Sequence, residues 1–317
     1  MKKLEEYVVS IPDYPEKGII FRDVTSILED PEGLQLSIRE LQDKLEGMDF
    51  NIVIGPESRG FIFGMPIAYN LQKAERWIAE AAFNQAELIL FPETSFTGFS
   101  NHLQLQFAAA ETIFQRMQTA AKQHRIHIGF GWTSAESDGR GKNHYTILTP
   151  DGESCLDYTK IHPFSYCQED RFFQKGTQLA HATISGIPVS VLICYDLRFP
   201  EVFRIAARSA ALIFVPANWL SRRSRHWQIL LQARAIENQV YLLGVNCVGT
   251  QGDLQFVGGS QLVDPEGTVR LDCGSAEQLA YVTVDSDVAE FRQAFPTYRD
   301  SQTALYADLY QTVRNNH

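Results

Sequence analysis

Apolar positions along the chain switch repeatedly between a helical and a two-residue period. Leu71, Ala74, Ile78 and Ala81 fall on one helical face, which predicts a helix from Leu71. Leu34, Ile38, Leu41 and Leu45 do the same and are closed by Gly47. "AAAETIFQRMQTAAKQH", "PEVFRIAARSA" and "SRHWQILLQARAIENQ" are further predicted helices. Short β-rich runs separate them: "FNIVIG", "AELILFPE", "IHIGFGW", "IPVSVLICYD", "ALIFVPANW" and "VYLLGVNCVG". "NHYTILTPDGESCLDYTKIH" predicts a hairpin turning at Asp151-Gly152, and "GSQLVDPEGTVRL" a second. "LAYVTVDSDVAEFRQAF" predicts a strand running into a helix. Alternating strands and helices with hairpins inserted point to layered α/β architecture with a mixed sheet.

Composition narrows the class. The 317 residues are 44% hydrophobic and 21% charged, with a formal net charge of −10. That acidic balance, without a long Lys/Arg block, argues against electrostatic nucleic-acid binding. The apolar-rich stretch "GFIFGMPIAYNL" is too short to span a bilayer as a helix and contains Pro66. The five cysteines, Cys155, Cys167, Cys194, Cys247 and Cys273, have neither CxxC nor Cys/His metal spacing. A disulfide framework or a zinc site is therefore not expected. Free thiols and an N-terminus without a signal-like apolar segment suggest a cytoplasmic protein.

Three stretches place a reactive side chain at or just after a strand end: "LILFPE" with Glu93, "LDYTKIHPF" with Lys160 and "VLICYDLRFPE" with Cys194. Strand ends are where α/β sheets bind ligands. A thiol, a carboxylate and an ammonium gathered there could run acyl transfer. Glu93 could take the thiol proton. Lys160 and a backbone N–H beside Cys194, that of Tyr195, could stabilise the developing oxyanion. Taken singly, each has a structural alternative: a core cysteine, a turn and a solvated lysine.

In this order, "LILFPE", "YTKIHPFSY" and "ICYDLRFPE" resemble the carbon–nitrogen hydrolase (nitrilase) superfamily, over roughly residues 71–317. The resemblance implies an αββα sandwich and a Glu–Lys–Cys triad at Glu93, Lys160 and Cys194. It also implies a second acid, for which Glu169 is the candidate. The alternative for Glu169 is a surface acid paired with Arg171. "PANWLSRRSRHWQILLQARAIENQVYLLGVNCVG" is similar to the ω-amidase branch. That branch implies a small linear amide substrate, a dicarboxylic acid monoamide, cleaved through a cysteine thioester with release of ammonia and with no metal or organic cofactor. A free carboxylate needs an anchor, for which Arg222, Arg223, Arg225, Asn218 and Trp219 are candidates. A solvated basic loop is the alternative reading of the arginines. Arg198 is expected to orient structure through an acid such as Asp196, and Arg234, Glu237 and Asn238 to be structural. The family also implies a homo-oligomer, with "FPTYRDSQTALYADLYQTVRNNH" as a contact surface.

The opening of the chain points elsewhere. "IPDYPEKGIIFRDVTSILEDPEGL" and "IGPESRGFIFGMPIAYNL" resemble the N-terminal part of adenine phosphoribosyltransferase. That resemblance implies adenine contacts near Phe21 and Arg22 and a pyrophosphate contact through Arg59. The acidic, glycine-rich loop that would cradle the ribose phosphate does not occur in the sequence. The expected organisation is a phosphoribosyltransferase-like fragment over residues 1–70 and a hydrolase domain over 71–317. Alternatives are a residual adenine- or nucleotide-binding segment and a catalytically impaired fusion. Hydrolases of this type open with a short apolar strand before the first helix, and "FNIVIG" is expected to take that place.

Overall fold

In the computed structural model the described residues are 3–12, 20–23, 65–100, 103–251, 254–284 and 287–314, with isolated positions between 32 and 40. The predicted strand "FNIVIG", most of the helix around Leu34–Leu45, and Arg59 lie outside them. Near the N-terminus β1 (Val9–Pro12) pairs antiparallel with β2 (Ile20–Asp23), the strand that contains Phe21 and Arg22.

From Met65 the chain builds four layers. Helix α1 (Met65–Phe83) begins six residues before the predicted Leu71 and buries Leu71, Ala74, Ile78 and Ala81. It packs with α2 (Leu103–His124) on a four-stranded sheet. The strands are β3 (Leu88–Leu90), β4 (His127–Ala135), β5 (Gly141–Leu148) and β6 (Ser154–Thr159), in the order β3-β4-β5-β6. β3 and β4 are parallel, and the others are antiparallel.

A six-stranded sheet lies against it. Its strands are β7 (His181–Ile184), β8 (Ile187–Val191), β9 (Leu212–Ala217), β10 (Tyr241–Asn246), β11 (Gln261–Val263) and β12 (Val269–Asp272). β8, β9 and β10 form its parallel centre. Helices α3 (Pro200–Ala206) and α4 (Ser224–Asn238) cover the outer face. Between the sheets, Tyr145, Ile147 and Tyr158 of one meet Val189, Val191 and Phe214 of the other. β9 is buried at every position, as a central parallel strand requires. The result is the expected αββα sandwich.

Both predicted hairpins form, β5–β6 and β11–β12. One predicted strand does not. Residues 279–284 join no ladder among the described residues, and the helical part of the pattern forms as α5 (Val288–Ala294). The alternating pattern of "LAYVTV" is present, but no described strand lies where it could pair. Helix α6 (Thr303–Arg314) ends the described chain, with Leu305, Tyr306, Leu309 and Tyr310 exposed. Among the described residues no helix is long and apolar enough to cross a membrane.

Candidate active site

Glu93, Lys160 and Cys194 come from three separate turns and meet between the sheets. Glu93 follows β3. Its loop lies flat on β4 because Gly131 has no side chain, and a Cβ there would sit 2.3 Å from the Thr94 nitrogen. Ser95 closes the contact, its N–H donating to Gly131 O at 3.2 Å. Lys160 follows β6 and points inward, 1% exposed.

Cys194 sits in a tight 3₁₀ turn after β8, at φ 46°. That left-handed conformation is uncommon for a residue with a side chain and stores strain. The buried Asp196 carboxylate holds the turn. It accepts from Ile193 N–H at 2.8 Å, Tyr158 O–H at 2.8 Å and His162 N–H at 3.0 Å. His162 Nδ1 lies 2.7 Å from the same carboxylate, and its ring stacks on Phe199.

The charged centre is closely bonded. Lys160 Nζ donates to Glu93 Oε1 at 2.8 Å and to both Glu169 oxygens at 3.1 and 2.9 Å. Glu169 is therefore a second acid on the lysine, while Arg171 bonds Gln168 instead. Asn143 Nδ2 bridges the acids, at 2.8 Å from Glu93 and 3.1 Å from Glu169. The Asn218 N–H donates to Glu93 Oε2 at 2.9 Å. Asn143 was not a sequence candidate. Its signal is the two-residue period of β5, which puts a polar residue on the same buried face as Tyr145 and Ile147.

Burial, then the Glu93 charge, pushes the Cys194 thiol well above the usual thiol range, with Lys160 pulling the other way. The thiol is also within hydrogen-bonding reach of Glu93 and of the Asn218 N–H. Burial works against the charge on Lys160. Glu169 and then Glu93 outweigh it and hold the ammonium well above its ordinary value. With both acids ionised the cluster carries one net negative charge. Passing the thiol proton to Glu93 relocates that charge and adds none.

A narrow pocket of ≈ 30 Å³ opens beside the sulfur, lined by Phe164, Tyr195, Trp219 and Leu220 and by the arginines Arg198 and Arg223. Arg198 departs from its expected role. It stacks on Trp219 at 4.7 Å and reaches His226, while Asp196 is bonded elsewhere. Arg223 lies over Tyr166, and its buried Nη1 has no hydrogen-bond partner. Arg222 lies exposed over the same Tyr166 ring, Arg225 is exposed, and neither lines the pocket. The Arg234–Glu237 pair is structural, as expected. No group of three or more metal-ligating side chains occurs among the described residues.

The family model for carbon-nitrogen hydrolases matches residues 62–293. The chain belongs to the carbon–nitrogen hydrolase family. A relative of this hydrolase, the 2-oxoglutaramate amidase of Bacillus subtilis (strain 168), is 32% identical over 77% of this chain and 95% of its own length. A mutant of the amidase from Nesterenkonia sp. AN1 superposes with a TM-score of 0.70 at 26% identity, covering 77% of this chain and 94% of that one. In that structure acrylamide has added to the active-site cysteine. These likenesses support a hydrolase acting on amides. The opening segment matches a different protein. It is 69% identical to the adenine phosphoribosyltransferase of Lachnoclostridium phytofermentans over 23% of this chain, and it spans only 42% of that transferase.

Proposed function

We propose that the hydrolase cleaves a small linear amide carrying a free carboxylate, a dicarboxylic acid monoamide, through a thioester on Cys194. The observation that carries this reading is the convergence of Cys194, Glu93 and Lys160 around one buried point. Cys194 Sγ attacks the amide carbon while its proton passes to Glu93. An ammonium has three protons. On Lys160, Glu93 takes one and the two Glu169 oxygens share a second, so in this scheme the third meets the carbonyl oxygen as it becomes negative. The Tyr195 backbone N–H is the second donor in this scheme. The tetrahedral species collapses with cleavage of C–N, and Glu93 returns its proton to the departing ammonia. Water then attacks the thioester with Glu93 as base, releasing the carboxylate and restoring the thiol.

The substrate class rests on the pocket. Arg198 and Arg223 face it together, and no ion pair to an acid accompanies either among the described residues. Two guanidiniums beside a reactive thiol suit a substrate with an anionic far end. The 2-oxoglutaramate amidase relative is in keeping with that choice.

The test is ammonia release from succinamate by the purified protein, with intact-mass detection of an acyl adduct. Cys194→Ala should abolish both while leaving the circular-dichroism spectrum unchanged. Turnover by the alanine variant at a comparable rate would remove Cys194 from the mechanism.

A further inference from the structure

The four-stranded sheet carries a second polar cluster, on the face turned away from Cys194. Side chains of β5 alternate between the two faces. Asn143 reaches Glu93 and Glu169 on one, and His144 points to the other, under α2. The ladder sets His144 between two neighbours. Trp132 pairs with His144 and Ser134 with Lys142, so Ser134 of β4 lies diagonally to one side. Asp157 of β6, paired with Thr146, lies diagonally to the other. Ser134 Oγ is 3.0 Å from His144 Nε2, and His144 Nδ1 is 3.1 Å from Asp157 Oδ2.

Chemistry fixes the direction of the hydrogens along this row. The Trp132 indole only donates, and it donates to Thr146 Oγ1 at 2.9 Å. Thr146 turns its own proton to Asp157 Oδ1 at 2.6 Å. Burial works against the Asp157 charge, but His144 and Thr146 outweigh it and hold the carboxyl below its ordinary value. An ionised carboxylate only accepts, so the proton of the neutral His144 ring lies on Nδ1. Nε2 is then an acceptor facing the Ser134 hydroxyl. Glu136 Oε1 also faces that hydroxyl, at the longer distance of 3.4 Å. Trp132 stacks on the imidazole at 4.7 Å and 19°, which fixes the ring plane and favours a positive charge on it.

A cation stands beside the hydroxyl. Lys142 lies directly across the ladder from Ser134. Glu136 ties it there, with one oxygen 3.0 Å from Lys142 Nζ and the other 3.4 Å from Ser134 Oγ. Among the described residues Glu136 is the one partner of this ammonium, which keeps further protons for an oxygen near Ser134. Ser134, Glu136 and Lys142 are half-buried and border the exposed β4–β5 turn, so a small molecule can reach them.

We propose that Ser134, His144 and Asp157 form a second acyl-transfer site, separate from the amidase thiol, that takes small activated esters such as aryl acetates. Ser134 Oγ bonds to the ester carbonyl carbon as its proton passes to His144 Nε2, and Asp157 holds the imidazolium through Nδ1. The Lys142 ammonium meets the oxygen that becomes negative. The C–O bond to the leaving group breaks, and the phenol departs with the proton from Nε2. Water then attacks the acyl-serine with His144 as base. The Ser134 Oγ–C bond breaks, the carboxylic acid leaves and the hydroxyl is restored. A good leaving group suits a half-open face on which one cation meets the developing oxyanion.

Two probes test the proposal on the full chain carrying Cys194→Ala, so that the amidase thiol takes no part. Diisopropyl fluorophosphate should leave its phosphoryl group on Ser134, located by peptide mapping. p-Nitrophenyl acetate should release nitrophenol, and adding Ser134→Ala should remove that release. Adding His144→Gln should slow both reactions about 100-fold or more. Asp157→Asn, which no longer holds the proton on Nδ1, should slow them as well. The peptide map needs no change within the cluster, so it decides the matter even where one of these variants does not fold. A map without the adduct on Ser134 would overturn the assignment. So would nitrophenol release that survives Ser134→Ala, or labelling of Ser134 at an equal rate in folded His144→Gln, either of which would leave the cluster as a hydrogen-bonded brace across three strands.

Discussion

At the scale of single residues the site sorts its cations into two kinds. Lys160 is buried and matched by two carboxylates, so its charge is fixed for chemistry. Arg223 keeps a buried Nη1 without a partner, and in the proposed reading that donor meets the substrate carboxylate. A charge-assisted hydrogen bond is worth roughly 1.5–3 kcal/mol, or about 10- to 150-fold in affinity. Arg223→Gln should therefore raise KM for succinamate by about tenfold or more. The same substitution should leave kcat/KM for the neutral butyramide within about threefold of the parent, since that substrate has no anion to lose. Steady-state kinetics on the two amides decide it. An equal loss on both would assign Arg223 to the packing of Tyr166 and Phe164.

At the scale of elements the decisive piece is the turn between β8 and α3. A strand ends, Cys194 takes a positive φ, and Pro200 starts the next helix. The positive φ is unfavourable for a cysteine, so a group within the turn must hold it. The Asp196 carboxylate does so by accepting the Ile193, Tyr158 and His162 hydrogens at 0% exposure. Removing it strands several buried donors, so Asp196→Ala should cost about 3–5 kcal/mol in urea unfolding. It should also slow alkylation of Cys194 by iodoacetamide under conditions where the variant remains folded. Unchanged stability would mean that the turn is held by its neighbours. Apolar pattern marks Glu93, Lys160 and Cys194 as strand-end residues, but it leaves a turn, a solvated lysine and a core cysteine equally open. Their joint catalytic reading comes from the resemblance of the three motifs to the carbon–nitrogen hydrolases. What pattern could not supply was close approach: the need for Gly131 beneath the Glu93 loop arises only when β4 and the loop are laid together. Residues 279–284 show the opposite limit. They alternate like a strand but join no ladder among the described residues, because alternation offers pairing and only a neighbour provides it.

At the scale of the molecule the four layers bury groups that share one response to pH. Burial raises Tyr145 and Tyr158 well above the ordinary tyrosine range, with the Asp196 charge adding to the effect on Tyr158. Burial followed by the Glu93 charge raises both Cys194 and Cys247. In each case the folded protein holds a proton that the unfolded chain releases sooner. The stabilisation is thus fully present below the unfolded values, about 8.5 for cysteine and about 10 for tyrosine. It is lost as pH rises above them, because the unfolded state then binds fewer protons than the native state. Each such group removes about 1.4 kcal/mol per pH unit once the unfolded side chain is ionised. Urea unfolding should therefore give a nearly constant stability from pH 6 to about 8, with a steepening decline from about pH 9. Cys247→Ala should make the decline shallower between about pH 9 and 10, where cysteines dominate, and Tyr145→Phe only above about pH 10. The two variants separate burial from general repulsion, since the net charge of −10 grows more negative with pH in all three proteins. Stability that stayed level to pH 10.5, or identical slopes in the parent and both variants, would show that these side chains meet water more freely than their packing between the sheets implies.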